Sequence, residues 1–226
     1  MHAIGTTIPC TLLRFETTEE HANRLIAGKV RFGRLEHYRT IEGLRNDQME
    51  GRASFEWNQK APRIHIENGK IVGQGQSDQN LRYTGSSLNP YFILCTSHPD
   101  ADVRALAEKF GQFMVRINDP LALLERIKAV WKAHPWALDN NSAFIARIKY
   151  NKGEVIPPDR YLIAPPQYSY YQKPKLHDDE MEFRYVLKCK VAVRQTPEDY
   201  LTLKLPDCSD ILTLERGPAH SAQSDI

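Results

Sequence analysis

The sequence lacks long hydrophobic runs, paired cysteines and a signal peptide. No stretch approaches the roughly 18 consecutive apolar residues of a membrane-spanning helix. Residues 1–9 have neither the charged start nor the apolar centre of a secretion signal. None of the four cysteines forms a Cys-x-x-Cys pair, so we expect all four to be reduced. These absences predict a cytoplasmic protein without a membrane partner.

The sequence also lacks an excess of charge and the short motifs that mark familiar sites. Its 30 basic and 28 acidic residues leave a net charge of +2, which predicts no global attraction to nucleic acid, although a local basic patch remains open. Glycine-rich phosphate loops and hydrolase signatures are missing. The eight histidines are scattered without metal-ligand spacing, so we expect no bound metal.

What the sequence does contain is a series of short strands with helices inserted singly. This pattern predicts an α+β fold with a mixed or antiparallel central sheet. We expect one domain over residues 1–216 and a disordered tail over 217–226, because no linker-like segment divides the chain. Helices are predicted at 19–27, 101–109 and 120–132, and strands at 11–15, 29–33, 53–57, 63–66, 70–72, 91–95, 112–117, 142–150, 180–189 and 200–205.

Other segments predict loops or a buried helix face. Residues 36–51 and 74–89 are polar and rich in turn formers, so both are predicted to be loops. In the third helix, the predicted buried face consists of Leu121, Leu124, Ile127 and Val130.

Three groups of polar residues are candidates for chemistry. Arg14 lies inside an apolar strand and needs an anion there, either a ligand phosphate or a structural carboxylate such as Glu182. Thr96 and Ser97 follow a buried strand, where hydroxyls can hold a ligand. Glu180 and Glu182 are predicted to share one strand face, where repulsion would raise one pKa and suit acid–base chemistry. The structural alternative is an exposed edge strand with solvated charges, and a pair between Arg184 and Glu182 would favour it.

The polar loop adds a fourth group with both signs of charge. Its members are candidates for substrate binding, with internal ion pairing as the structural alternative. They are Tyr38, Arg39, Glu42, Arg45, Asp47 and Glu50.

These residues resemble two families. The segments Leu13-Arg14-Phe15, Arg45 to Glu50, Cys95-Thr96-Ser97 and Glu180 to Arg184 resemble an uncharacterised bacterial and phage family that has no established activity. The order Arg14, Thr96-Ser97, Glu180-x-Glu182 resembles the arginine-serine-glutamate class of ADP-ribosyltransferases, although Cys95 replaces the first serine of that pattern.

The second resemblance implies a fold and roles for the site residues. It implies an ADP-ribosyltransferase-like fold and an enzyme that uses NAD as a substrate to modify a macromolecular acceptor. It also implies a biological role as a toxin or a phage–host conflict protein. Arg14 would contact the NAD phosphates, and Thr96 or Ser97 the nicotinamide ribose. Glu182 would be the catalytic carboxylate and Glu180 would orient the acceptor. Tyr168 or Tyr170 would stack on nicotinamide or on the target.

Two alternatives remain open from the residues themselves. A binding module for nucleic acid or protein would use the polar loop together with Tyr168, Tyr170 and Lys173. A magnesium-dependent nuclease would use the carboxylates of Asp47, Glu50, Glu180 and Glu182. The acceptor, the oligomeric state and the existence of enzymatic activity are not predicted by the sequence.

Overall fold

The computed structural model describes residues 7–39, 52–57, 62–67, 70–76, 81–86, 89–150, 173 and 175–216, with the backbone alone between 52 and 86. The α-helices are α1 (Glu19–Ile26), α2 (Val103–Phe110) and α3 (Pro120–Trp131). The strands are β1 (Leu12–Glu16), β2 (Lys29–Arg34), β3 (Arg52–Trp57), β4 (Pro62–Glu67), β5 (Lys70–Gln76), β6 (Leu81–Ser86), β7 (Tyr91–Ser97), β8 (Phe113–Ile117), β9 (Ala143–Arg147), β10 (Glu182–Lys188), β11 (Tyr200–Lys204) and β12 (Leu212–Arg216).

The helices begin where side chains cap them. The Thr18 hydroxyl accepts a hydrogen bond from the His21 N–H, and two glutamates follow in the first turn of α1. Asp119 caps α3, with Pro120 at its first position. Both starts confirm the sequence prediction. Asp102 caps α2, so this helix begins two residues later than predicted.

Three local predictions are wrong. Residues 74–89 are not one loop, because β5 extends to Gln76 and β6 pairs with β3. Strand β7 continues through Thr96 and Ser97 rather than ending before them. In α3, Leu121 is 52% exposed while Leu123 and Trp131 are buried, so the buried face is rotated from the predicted one.

The main sheet is antiparallel, and β7 lies at its centre. One edge of β7 pairs with β10 over all seven residues, and β10 pairs in turn with β9. The other edge of β7 pairs with two different strands, β1 and β2, and the sheet continues to β8 and β12 beyond β1 and to β11 beyond β2. The predicted α+β fold with an antiparallel central sheet and few helices is therefore confirmed.

The sheet has apolar side chains on both faces. One face packs with α1 and α3 in the largest core cluster, which includes Leu12, Phe32, Leu94 and Trp131. The other face carries Leu13, Phe15 and Met114, which pack with Leu106 of α2. Because both faces are covered, polar groups near the middle of the sheet are withdrawn from water. Within the described residues, no helix is both long and apolar enough to cross a membrane.

A fork on one side of β7 creates space inside the sheet. Strand β1 meets β7 only at the pair Leu13 and Ser97, whereas β2 meets it at Ile93 and Phe92. Between these points the β7 edge pairs with none of the described strands. A backbone carbonyl in such a gap needs another donor, and the residue that supplies it belongs to the candidate site.

Candidate functional site

Three strands bring the distant motifs together at the end of β7. Ser97 lies directly opposite Leu13 of β1 on one side and directly opposite Glu182 of β10 on the other. Side chains of directly opposed residues share a sheet face, so Glu182 and Ser97 are neighbours. The antiparallel register therefore places the serine beside the glutamate although 84 positions separate them in sequence.

Arg14 lies at the fork. Its Nη1 donates a hydrogen bond of 2.8 Å to the Cys95 carbonyl, the group that strand pairing leaves open. Its Nε donates at 2.8 Å to Glu16 Oε1. The carboxylate partner of Arg14 is therefore Glu16. The sequence-based prediction of Glu182 for this role is wrong. The side chain remains 21% exposed, so it can also meet a ligand from the open side.

Glu182 forms a buried ion pair with Arg184, two residues further along β10. Arg184 Nε lies 2.6 Å from Glu182 Oε1, and Nη2 lies 3.3 Å from Oε2. The relative exposures of the residues are 3% for Glu182 and 0% for Arg184. Strand alternation explains the pair, because residues i and i+2 share one face. The pair that strand alternation made possible is therefore observed, but the exposed edge strand is not, because β10 lies between β7 and β9 and both side chains are buried.

Glu180 reaches the same cavity by a different route from the one predicted. It ends a 3₁₀ helix over Lys175–Glu180, so Glu180 and Glu182 do not share a strand face. Met181 between them has a φ of 42°, in the left-handed region that non-glycine residues seldom adopt. This reversal of the backbone, and not strand alternation, turns both carboxylates toward one place.

A lysine bridges the two carboxylates. Lys173 Nζ lies 2.6 Å from Glu180 Oε2 and 2.7 Å from Glu182 Oε2. A second lysine, Lys109 at the end of α2, lies 2.6 Å from Glu180 Oε1. The carboxylates therefore do not face each other unshielded. The sequence did not predict Lys109, and it indicated Lys173 only for the binding module and not as a partner of the glutamates, because neither lysine belongs to a motif or to a neighbouring strand.

The ion pairs decide the protonation of Glu182. Burial by itself would raise the pKa of this carboxyl, but Arg184 and Lys173 outweigh burial and hold its pKa well below the ordinary range. The prediction that repulsion raises a pKa in the glutamate pair is therefore wrong for Glu182. At neutral pH Glu182 is an anion, suited to stabilising positive charge and not to donating a proton.

The two hydroxyls at the end of β7 have different environments. Thr96 Oγ1 donates a buried hydrogen bond of 3.0 Å to the Phe183 carbonyl, which links β7 to β10. The Ser97 hydroxyl makes no hydrogen bond to any of the residues that the structure describes, although Ser97 is only 5% exposed. Thr96 is therefore committed to the sheet, whereas Ser97 can bind a ligand.

Cys95 and Tyr38 complete the walls. Burial, followed by the nearby Glu182 carboxylate, raises the pKa of the Cys95 thiol above its ordinary range, so this thiol stays protonated. Tyr38 lies in a 3₁₀ helix over Leu35–Arg39 and packs on Gly33 of β2. A Cβ at position 33 would lie 2.6 Å from the Tyr38 hydroxyl, so any larger residue there would displace the Tyr38 ring.

These groups line one cavity of about 70 Å³, which we call the glutamate cavity. It joins the predicted residues Arg14, Tyr38, Thr96, Ser97, Glu180 and Glu182 with Cys95, Lys173, His177 and Arg184. Arg39 is described only as the last residue of its 3₁₀ helix. Arg45, Asp47, Glu50, Tyr168, Tyr170 and the tail 217–226 lie outside the described residues.

Comparisons with known proteins add no relative from which a role could be inferred. No protein-family model, no curated protein and no solved structure matches the chain. Any functional assignment therefore depends on the geometry of the site and on the resemblance of its motifs.

Proposed function

We propose that this protein is an NAD-dependent enzyme of the ADP-ribosyltransferase kind, with Glu182 as its catalytic carboxylate. The observation that carries the proposal is the meeting of Arg14, Ser97 and Glu182 from three adjacent strands at one cavity. The motif resemblance assigns roles to these three residues in this order. A role as a toxin or phage–host conflict protein follows only from the resemblance.

The charges at the glutamate cavity support an anionic ligand that also carries a reacting cationic centre. Four basic side chains, Arg14, Lys109, Lys173 and Arg184, meet three carboxylates at the cavity, those of Glu16, Glu180 and Glu182. The surplus of one positive charge favours an anion, and Arg14, whose side chain remains 21% exposed, is placed to meet the diphosphate of NAD. The ionised Glu182 supplies a fixed negative charge at the point where positive charge would develop on the ribose.

The proposed reaction breaks the bond between ribose C1′ and the nicotinamide nitrogen. The bonding electrons leave with nicotinamide, which becomes neutral, and the ribose carries the positive charge that Glu182 stabilises. The Ser97 hydroxyl holds the ribose side, and Glu180 orients the acceptor. An acceptor nucleophile, or water in its absence, then bonds to C1′ and releases one proton.

The volume of the glutamate cavity limits what it holds. Ligand sites for molecules of this size are commonly about 300–1,000 Å³, so the cavity of about 70 Å³ accommodates one end of NAD only. Arg14 and Tyr38 also line a second cavity of about 440 Å³ on the other side of the fork. We therefore place the nicotinamide ribose near Glu182 and the phosphates at Arg14.

The two alternative functions have less support from the described residues. Glu180 and Glu182 already pair with lysine and arginine, whose charges would repel a divalent cation in a nuclease site. For the binding module, Lys173 is engaged with both glutamates and does not offer its charge to a phosphate. Asp47, Glu50, Tyr168 and Tyr170, which these hypotheses also need, lie outside the described residues.

Two measurements test the proposal, beginning with NAD binding. Calorimetry on the purified protein should show binding that Arg14→Ala abolishes and that Arg14→Lys weakens less, because lysine retains the charge. Absence of binding at millimolar NAD in a folded protein contradicts the proposal.

The second measurement is slow hydrolysis of NAD in the absence of an acceptor. Glu182→Gln should reduce the rate by about 100-fold or more, the usual effect of removing one electrostatic stabiliser of a transition state. Ser97→Ala should reduce turnover while leaving the melting temperature unchanged, because the Ser97 hydroxyl makes no hydrogen bond within the described part of the chain. Equal turnover in wild type and both variants would rule out Glu182 as the catalytic carboxylate.

A further inference from the structure

The larger cavity opens beside the glutamate cavity, on the exposed face of β2 and β11. It has a volume of about 440 Å³, within the range of ligand sites. Strand β11 pairs with β2, and α1 and β1 complete the walls. We call it the basic cleft because basic side chains dominate its lining: Arg14, His21, Arg24, Lys29, Arg31 and Lys204. Other polar side chains along its walls include Glu16, Tyr38, Tyr200 and Thr202.

Three cations of the basic cleft have no carboxylate partner in the part of the chain that the structure describes. Lys29 and Lys204 lie directly opposite each other across the β2–β11 pair, an arrangement that repels. Arg31 lies two residues from Lys29 on the same face. Among the described residues none of these three side chains has a carboxylate within ion-pairing distance. In the same cleft, by contrast, Arg14 pairs with Glu16 and Arg24 with Glu20.

An aromatic platform lies among these charges. Tyr200 is 41% exposed, and the Arg31 guanidinium lies 3.6 Å from the centroid of its ring. His37 holds the ring from the side, with Nε2 2.9 Å from the Tyr200 hydroxyl. Nucleobases stack on aromatic rings and on arginine guanidinium planes. The stack of Arg31 on Tyr200 offers a flat, cationic surface of this kind.

From the uncompensated lysines and this platform, we propose that the basic cleft binds single-stranded nucleic acid. Lys29 and Lys204 contact successive phosphates of the strand, and an unpaired base stacks on Arg31 and Tyr200. A duplex keeps its bases stacked inside and cannot use the platform. An acidic peptide satisfies the lysines but gains nothing from stacking. The inference does not depend on NAD chemistry, because none of its key residues lines the glutamate cavity.

The first test measures binding of fluorescently labelled single-stranded oligonucleotides, of DNA and of RNA, by anisotropy over a range of salt concentrations. The double variant Lys29→Gln/Lys204→Gln should weaken binding at low salt. It should also lower the slope of log affinity against log salt by about 1.4, because each phosphate contact of a single strand contributes about 0.7. The matched control Lys128→Gln/Lys132→Gln, in the last turn and at the C-cap of α3, removes the same charge and should change neither quantity.

The second test separates stacking from charge. Tyr200→Ala should weaken binding about tenfold or more, whereas Tyr200→Phe, which keeps the ring, should stay within about twofold of wild type. Equal affinity for inorganic polyphosphate, poly-glutamate or duplex DNA of matched charge overturns the proposal. So does an unchanged affinity in the Lys29→Gln/Lys204→Gln variant.

A third measurement distinguishes this proposal from the proposed enzymatic function. If saturating NAD displaces the oligonucleotide, NAD itself binds in the basic cleft and the nucleic-acid proposal is wrong. If NAD leaves oligonucleotide affinity unchanged or increases it, the two ligands occupy separate places. Failure of NAD to bind at all, with oligonucleotide binding intact, contradicts only the enzymatic proposal.

Discussion

The glutamate cavity and the basic cleft share a wall, but their charged side chains are compensated to very different degrees. In the glutamate cavity each carboxylate is buried against at least two cations, at distances of 2.6 to 2.7 Å for the nearest pairs. In the basic cleft, Lys29, Arg31 and Lys204 are exposed and lack carboxylate partners among the described residues. Compensated charge holds a structure together, whereas uncompensated charge is available to a ligand.

The largest expected effect is a loss of stability when the buried ion pair of the glutamate cavity is broken. Arg184→Met leaves Glu182 buried without its closest partner, which should destabilise the fold by about 3–5 kcal/mol. The matched variant in the basic cleft, Arg31→Met, should change the free energy of unfolding by less than about 0.5 kcal/mol. Urea denaturation of the two variants measures both values. Similar small losses would show that water reaches Glu182.

The ion pairs of Glu182 should also make the stability of the fold depend on pH in the acidic range. Because the pKa of Glu182 is lowered on folding, its contribution to stability is fully present above the unfolded value of about 4.3. That contribution is lost as the pH falls from there toward the folded pKa, by at most about 1.4 kcal/mol per pH unit. The stability difference between wild type and Glu182→Gln should therefore narrow between pH 6 and pH 3. A constant difference would contradict the lowered pKa.

The neighbouring hydroxyls of Thr96 and Ser97 offer a smaller comparison between a group that stabilises the fold and a group that is available to a ligand. Thr96→Val removes the buried hydrogen bond to the Phe183 carbonyl and should cost about 1 kcal/mol without loss of turnover per folded molecule. Ser97→Ala should do the reverse, with stability kept and NAD turnover reduced. Thermal unfolding and NAD hydrolysis, measured on both variants, test whether one variant loses stability and the other loses turnover. If both variants behave alike, Ser97 has no role separate from the sheet.

The smallest effect concerns the facing lysines. Lys29→Gln/Lys204→Gln removes a cross-strand repulsion and should stabilise the fold by a few tenths of a kcal/mol at low salt. The gain should disappear near 1 M salt, where screening acts within about 3 Å. Chemical denaturation at the two salt concentrations provides the measurement. Destabilisation at low salt would mean that the lysines are compensated.

Much of the fold could be predicted because local signals determine it. Thr18, Asp119 and Pro120 begin helices through capping, which needs only neighbouring residues. The apolar run at 91–95 predicts a central strand for the same reason. The strand at 81–86 was missed, since its signal comes from pairing with β3 and not from its own polar sequence.

The site could be predicted only as a set of motifs. The sequence pointed to Arg14, Ser97 and Glu182, and sheet register brings them to one cavity. Strand alternation points to Arg184 as a partner of Glu182, but the lysine partners could not be predicted. Lys109 comes from the end of a helix and Lys173 from a segment with no strand pattern. The backbone reversal at Met181 also has no sequence signature, because left-handed conformations are expected at glycine or asparagine.

The shared wall of Arg14 and Tyr38 has a thermodynamic consequence for any pair of ligands. A molecule that shifts either side chain from one side of the fork changes the free energy of occupying the other side. Linkage requires this effect to be reciprocal, with the same factor in both directions. Gly33 sets how far Tyr38 can yield, since the ring rests directly on the glycine backbone. A ligand that moves this shared wall therefore couples the two neighbouring cavities, and a ligand that leaves both side chains in place does not.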